Sequence, residues 1–413
     1  MSDMDVHESF GQGEKTLGPG AFPRLFRQPT KQASASHQIE IWAQWNEQAA
    51  QFARDVQETG STLFQNPDWL AIWYETFLAD PANKALMIAL KNRQSGQIDM
   101  LLPLCQRKEN GLSTISFADF GLCDYNAPLL RAGFAPDAQQ TKQWLREICQ
   151  ALPRADLLKL EKMPRQIKGR PNPLAALPGI QTGTLSHFGI EITGSWQDYW
   201  SGLKNSFRKD QRRRWRVLAK KGHVRFELCH DAKRALWLFD RLLQQQKARL
   251  DHLGLPYLLD DPHMQSFYRQ LIQQGCSRRK DGETAVLFSA LLVEDEPVAT
   301  LCGLGDGRHY AMTLSGYEGG EWRKASPGRL LTERTMQHLH AQGYSYFDFT
   351  IGDEPYKNLF AKEQGQLLDF TRPLSAKALP YHLWQKVKAC YRQSPFLCTL
   401  RQKAIAAGYT LRT

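Results

Sequence analysis

The sequence predicts an α/β protein made of two tandem halves, each a mixed, mostly antiparallel sheet flanked by helices. Two observations predict it. The chain has 413 residues, long enough for two ordinary domains or one internally duplicated unit. It also spells the same order of patterns twice: helices, an antiparallel meander, a helix, a strand, a helix and a strand.

Residues 1–38 hold Gly, Ser, Gln, Thr and Pro with little periodicity and read as an N-terminal disordered tail. The first half spans 39–192. Ile41, Trp42 and Trp45 open a helical pattern, and Phe64-Gln-Asn-Pro-Asp-Trp69 opens a stronger one. There Asn66 suits the cap, Pro67 the first helical position, and Trp69, Trp73 and Phe77 recur every four residues. Strand-like runs follow at 85–90, 98–106 and 113–117, separated by Asn-Arg-Gln-Ser-Gly and Lys-Glu-Asn-Gly turns. A helix (136–152), a strand (156–160), a Pro/Gly-rich loop (168–183) and a strand (185–192) complete this half.

The second half, 193–376, begins with helices at 195–221, 231–252 and 262–274. Strands at 285–293, 298–304 and 309–315 then meander through the turns Glu294-Asp-Glu-Pro297 and Gly305-Asp-Gly-Arg308. A helix from Ser326-Pro-Gly to Gln342, a strand at 346–351, a short helix at 355–361 and a strand at 367–372 end it. Residues 377–413 form a basic, partly helical tail.

Apolar residues at 42% and charged residues at 23% are ordinary for a globular protein. The N-terminus, Met-Ser-Asp-Met-Asp-Val-His, is acidic with no hydrophobic block, and no apolar run reaches membrane length, so a cytoplasmic location is expected. The eight cysteines lie far apart without a CxxC pair, and the eleven histidines lack ligand spacing. They read as reduced thiols with no metal site. A net charge of +11 suits an anionic partner: a nucleotide-like cofactor, a nucleic acid or an anionic lipid surface.

The densest chemistry lies in the aromatic strand around Asp348, which stops at Gly352, meets Asp353 and Glu354, and continues into Tyr356 and Lys357. A proton acceptor, a phenol and a cation converge there at a strand end, where open α/β sheets bind ligands. A second cluster is Lys204-Asn-Ser-Phe-Arg-Lys-Asp-Gln-Arg-Arg-Arg-Trp-Arg216. On a helix, Leu203, Phe207, Trp215 and Leu218 share one face, while Lys204, Arg208, Arg212 and Arg216 form a basic stripe suited to phosphate. The stripe reads equally as a solvated face.

Several segments carry a family resemblance: Phe64-Gln-Asn-Pro-Asp-Trp69, Leu101-Leu-Pro-Leu104, Gly121-Leu-Cys-Asp-Tyr-Asn-Ala-Pro128, Phe207-Arg-Lys-Asp-Gln-Arg-Arg-Arg214 and Asp348 with Tyr356-Lys357. In order and spacing the chain resembles the GNAT acyltransferases, specifically the CelD/BcsL-type cellulose-biosynthesis acetyltransferases allied to the FemAB transferases. The resemblance implies two GNAT-like halves and acyl transfer from acetyl-CoA or another acyl-CoA, without a metal. It also implies a polar, saccharide-linked acceptor and association with a polysaccharide-synthesis complex.

Where GNAT enzymes hold the CoA pyrophosphate, this chain reads Glu321-Trp-Arg-Lys-Ala-Ser-Pro-Gly-Arg329, with a single Gly. Ser326 and Gly328 are expected to offer free N–H groups at a helix N-terminus, with Arg323, Lys324 and Arg329 adding charge. An ordinary Ser-Pro helix start accounts for the same residues. The catalytic expectation assigns the base to Asp348 or Asp353 and the proton donor for the leaving thiolate to Tyr356. Arg208, Arg212, Lys357, Asp124 and Tyr125 are expected to bind substrate, the last two lining the cleft between halves. Two alternatives stand beside this: a FemAB-like transferase using aminoacyl-tRNA, and a catalytically inactive basic scaffold for nucleic acid or anionic lipid.

Overall fold

The computed structural model describes residues 36–276, 284–352 and 354–393. In the first half it has β1 (His37–Trp42), α1 (Glu47–Val56), α2 (Pro67–Phe77), β2 (Lys84–Asn92), β3 (Ile98–Glu109), β4 (Leu112–Phe117) and β5 (Leu129–Leu130). There follow α3 (Ala138–Ala151), β6 (Leu157–Met163), a small hairpin of β7 (Gln166–Ile167) and β8 (Arg170–Pro171), and β9 (Gln181–Glu191). The second half has α4 (Trp196–Gly202), α5 (Asn205–Ala219), β10 (Val224–Cys229), α6 (Ala232–Leu253), α7 (Pro262–Gly275), β11 (Ala285–Val293), β12 (Glu296–Gly305) and β13 (His309–Tyr317). It closes with α8 (Pro327–Ala341), β14 (Tyr346–Ile351), a helical turn α9 (Lys357–Phe360), β15 (Glu363–Pro373) and α10 (Leu379–Gln393).

Twelve strands run in one continuous sheet in the order β1-β2-β3-β4-β6-β15-β9-β14-β13-β12-β11-β10, with β5 alongside β3. The order is the same read inward from either edge. Each half has an antiparallel meander, then a parallel pair (β4 with β6, β13 with β14), then an antiparallel strand. That last strand is exchanged. β9, from the first half, lies against β14, while β15, from the end of the second half, lies against β6. The two exchanged strands pair with each other at the seam.

One face of the sheet carries a single core shared by both halves, built from α1, α2, α6 and α7. Across it Trp69 of α2 meets Phe267 of α7 edge to face at 4.8 Å. The opposite face is covered by α3 in the first half and by α4, α5 and α8 in the second. Burial on both faces explains why β11, Ala-Val-Leu-Phe-Ser-Ala-Leu-Leu-Val, is buried along its whole length.

Asn66 caps α2 as the sequence predicts, its side chain accepting from the Trp69 amide at 2.9 Å with Pro67 at the helix start. Four local expectations differ. Ile41 and Trp42 are in a strand, because Ile39 and Ile41 alternate against the edge of β2; the helix starts only after the Asn46 cap. The helix expected over 195–221 breaks at Leu203 and Lys204, where Leu203 is extended. The loop expected at 168–183 holds β8 and the start of β9. The strand β10 had no counterpart in the expectation, although Val224-Arg-Phe-Glu-Leu alternates. The tail expected over 1–38 and Asp353 fall outside the described residues, save for Ser36 to Gln38, and the C-terminal tail is described to Gln393.

Gly303 sits at a bulge between β12 and β13, and a Cβ there would lie 2.4 Å from the ring of Tyr310, which is buried beside Phe347 of β14. Gly303→Ala is expected to lower the free energy of unfolding by about 1–3 kcal/mol, seen in urea as a lower midpoint at unchanged slope.

Candidate active site

The parallel pairing of β13 and β14 ends at Ala311 and Asp348, and the strands then diverge. At that point β14 bulges against β9, and Thr350 adopts the left-handed region at φ 57°. A β-branched residue is rarely found there, so the surroundings must hold it. They do so twice. The Thr350 amide donates to Asp348 Oδ1 at 2.7 Å, and its hydroxyl donates across the gap to the Met312 carbonyl at 2.9 Å. The first half repeats the device, with Lys162 of β6 at φ 61° and its amide donating to Asp369 Oδ1 at 3.0 Å.

A loop from the first half reaches over this divergence. Asp119 Oδ1 accepts from the Gly121 and Cys123 amides, and its Oδ2 accepts from the Asn126 side chain and pairs with Lys162 Nζ at 2.5 Å. Phe120 and Gly121 take positive φ to complete the turn. Gln65, just before the α2 cap, donates to the Tyr125 carbonyl at 2.9 Å. The turn is thus held by Asp119 and Asn126, and Asp124 is left to face inward.

Asp124 lines a cavity of about 300 Å³ between the halves, together with Gln246 and Arg249 of α6, Tyr257, Leu258 and Leu259 of the following segment, and Thr313 and Leu314 of β13. The size is that of a small-molecule site. Burial pushes the Asp124 carboxyl up to about 7; the Thr350 hydroxyl, Lys162 and Lys357 pull it back and the Asp348 carboxylate adds to the rise. A carboxyl in that range is suited to exchanging protons at neutral pH.

Asp348, the acid inside the aromatic strand, faces the core and is 5% exposed. Its Oδ1 accepts from the Tyr125 hydroxyl at 2.7 Å as well as from Thr350, and its Oδ2 faces His309 Nε2 at 3.7 Å. The acid is therefore engaged inside the fold and is not on the cavity wall. Tyr125, expected to bind substrate, is buried between Phe64 and His187 with its hydroxyl spent on Asp348. Lys357 is also turned inward. Its ammonium donates to the Ile351 carbonyl at 2.6 Å and pairs with Glu354 at 3.1 Å, closing the turn after β14, so it is not offered to an acceptor group. Tyr356 packs at the edge of the second core, where burial pushes its phenol up, the Glu354 carboxylate adding to this and Arg249 opposing it.

On the opposite face, α5 lies against the start of α8. Arg214 donates to the Lys324 carbonyl at 3.2 Å and to Ser326 Oγ at 2.5 Å, and Asp210 gathers Arg213, Arg214 and Arg329. Burial pushes the Asp210 carboxyl up, but hydrogen bonds from Arg214 and Arg213 outweigh it and hold the group at about 2. Ser326 takes the left-handed region at φ 49°, and its side chain does not cap α8. Its amide is not free as expected, since it is directed at the Trp322 and Arg323 carbonyls. Gly328 packs so closely on Tyr317 that a Cβ would lie 3.0 Å from the ring. The Nε atoms of Arg208 and Arg329 are buried without an acceptor. Arg212 and Arg323 are exposed on the surface nearby, and Lys204 stands outside the helix, so the four-residue stripe is not a single face.

Residues 205–358 match the family model of the acetyltransferase (GNAT) domain. Among solved structures the chain is similar to FemX, with 13% identity and a TM-score of 0.52 over 84% of this chain and 99% of FemX. It is likewise similar to a conserved protein of unknown function from Bacteroides thetaiotaomicron, with 8% identity and a TM-score of 0.50 over 82% of this chain and 100% of that one. A comparison with curated proteins finds no match. Residues 205–358 are thus similar to a GNAT-type acetyltransferase domain, and the whole chain has a two-half α/β fold like that of FemX.

Because the folded Asp124 carboxyl holds its proton up to about pH 7, above its ordinary range, the native state binds more protons than the unfolded chain between about pH 4 and 7. The Asp124 contribution to stability thus falls as pH rises through that window. Asp124→Asn is expected to flatten this part of the profile, measured by urea unfolding at pH 5 and pH 7.5. Tyr125→Phe, which strips a donor from a buried carboxylate, is expected to cost about 1–3 kcal/mol in the same measurement.

Proposed function

We propose that this protein transfers an acyl group from acyl-CoA directly to an amine or hydroxyl of a polar acceptor, and that the cavity between the halves receives the acceptor. The observation that carries the reading is the Asp124 carboxyl, raised to about 7 on the cavity wall beside the divergence of β13 and β14. Asp124 takes the proton that the acceptor loses as its nitrogen or oxygen bonds to the acyl carbon. The C–S bond breaks in the same exchange, and the Tyr356 phenol supplies a proton to the departing sulfur. Burial keeps that phenol protonated at neutral pH, so a proton is present to be donated. Asp348 acts as a positioning residue, holding Tyr125, and hence its neighbour Asp124, against the Thr350 bulge.

CoA is the thioester donor in this reading. The unmatched Nε atoms of Arg208 and Arg329 and the Gly328 amide at the uncapped start of α8 suit its phosphates, with Arg323, Lys324 and Arg212 around them. Acetyl-CoA as the particular donor, a saccharide-linked acceptor and a polysaccharide-synthesis complex as the setting are supported by the segment resemblance alone. A second reading, transfer from aminoacyl-tRNA, is favoured by the net charge of +11 and the exposed arginines of α5.

A thermal-shift comparison of CoA with tRNA separates the two. CoA at a hundredfold excess over its Kd should stabilise the protein by about 2.7 kcal/mol, and Arg329→Gln or Arg208→Gln should weaken that effect. Stabilisation by tRNA alone, abolished by salt, would instead support the second reading. In acyl-transfer assays kcat/KM is expected to rise through pH of about 7 and then level, following deprotonation of Asp124. Asp124→Asn should lower kcat by about 10²–10⁴-fold. An unchanged rate would remove Asp124 from the chemistry.

A further inference from the structure

Resting on the acyltransferase reading, the geometry points to an acceptor that is an anionic amphiphile. Its nucleophile lies at Asp124, its anionic group at Arg249, and its apolar chain leaves over Leu253, Leu255 and Leu258. The cavity is not uniform. Asp124 stands on the wall given by the first half, Arg249 on the wall given by α6, and leucines from both halves, with Tyr257 and Tyr268, supply much of the rest.

Arg249 is an exposed guanidinium with no carboxylate within 4 Å among the described residues, its plane lying 5.5 Å from the Tyr317 ring. The acids closest to it in the chain are taken, since Lys247 pairs with Asp251 at 3.6 Å and with Asp260 at 2.9 Å, and Arg269 pairs with Asp240 at 2.6 Å. Gln246 is likewise engaged, donating to the Ser315 carbonyl and accepting from Tyr257. A cation is thus left at the cavity while its polar neighbours are satisfied, which is the complement of a phosphate or carboxylate on the ligand.

The rim continues the apolar lining outward. Leu253, Leu255 and Leu258 are 54%, 52% and 45% exposed, three large aliphatic side chains within six residues on a segment turned by Gly254 at φ 65°. Leu258 belongs to both surfaces: it lines the cavity, and its Cδ2 lies 3.4 Å from where a Cβ on Gly121 would stand. Leu253 and Leu255 lie in the chain between Leu250 and Pro256, both of which line the cavity, and such an exposed apolar run suits an alkyl chain, whose binding gains about two- to fourfold per methylene covered.

Isothermal titration of the full-length protein without any acyl donor tests this. The probes are octyl 2-aminoethyl phosphate, its ethyl counterpart and octylamine, all below their micellar concentrations. The octyl ester is expected to bind at least about 50-fold more tightly than the ethyl ester, from six added methylenes. Octylamine should bind more weakly than the octyl ester. Arg249→Gln should remove that difference, and Leu255→Ser with Leu258→Ser should shrink the chain-length effect. Equal binding of the two esters, equal binding of octylamine, or no binding of any probe would overturn the proposal. So would an Arg249→Gln protein that loses CoA stabilisation yet keeps its affinity for the ester. Tight ester binding by a protein that CoA does not stabilise would count against acyl transfer and leave the amphiphile site standing.

Discussion

One hydrogen bond organises the centre of this molecule: the Tyr125 hydroxyl donates to Asp348 Oδ1 at 2.7 Å, joining residues 223 apart in the chain. The same oxygen receives the Thr350 amide, so a single carboxylate fixes both the bulge of β14 and the loop that crosses from the other half. Each partner would be costly to leave alone in the interior, since a buried charge needs donors and a buried phenol needs an acceptor. The arrangement is stable because each satisfies the other. Asp124, the residue before Tyr125, is placed beside the divergence of β13 and β14 as a direct consequence.

Charge is handled differently on the two faces of the sheet. On the cavity face two carboxyls, Asp124 and Asp348, stand near each other; the nearby Lys162 ammonium is tied to the Cys123 carbonyl and Asp119 of the 119–126 loop, and that of Lys357 to a carbonyl and an acid of its own turn. These cations temper Asp124 without neutralising it, which leaves burial dominant. On the other face Asp210 serves three arginines, so positive charge exceeds what the protein itself can pair. The raised Asp124 carboxyl and the arginine cluster at the start of α8 thus lie on opposite faces of one sheet.

The local grammar of the chain made much of the fold legible. Asn66-Pro67, the tight turns around 294–297 and 305–308, and the aromatic strand at 346–351 act over a few residues, and their outcome depends little on distant partners. What escaped reading depends on the rest of the molecule. Trp42 and Trp45 suggest a helix until the edge of β2 supplies a strand partner. For the site, Asp348 stood out because an acid inside an aromatic strand is conspicuous, yet its two donors come from a distant loop and from a bulge with no sequence mark. Asp124 is expected from the sequence at the cleft as a binding residue, while the turn that presents it is built by Asp119, just upstream. The raised pKa of Asp124 comes from burial that the assembled fold imposes, which composition cannot show.

The exchange of β9 and β15 also bears on how the chain comes to be folded during synthesis. When the ribosome has released everything through β9, the first sheet still lacks the strand that closes it, because β15 begins at Glu363, 172 positions after β9 ends at Glu191.

 The first half must therefore wait with an open edge, holding backbone donors and acceptors that only the far end of the polypeptide can satisfy. Such dependence on late, non-local pairing slows folding and leaves the first half's sheet edge exposed until β15 emerges.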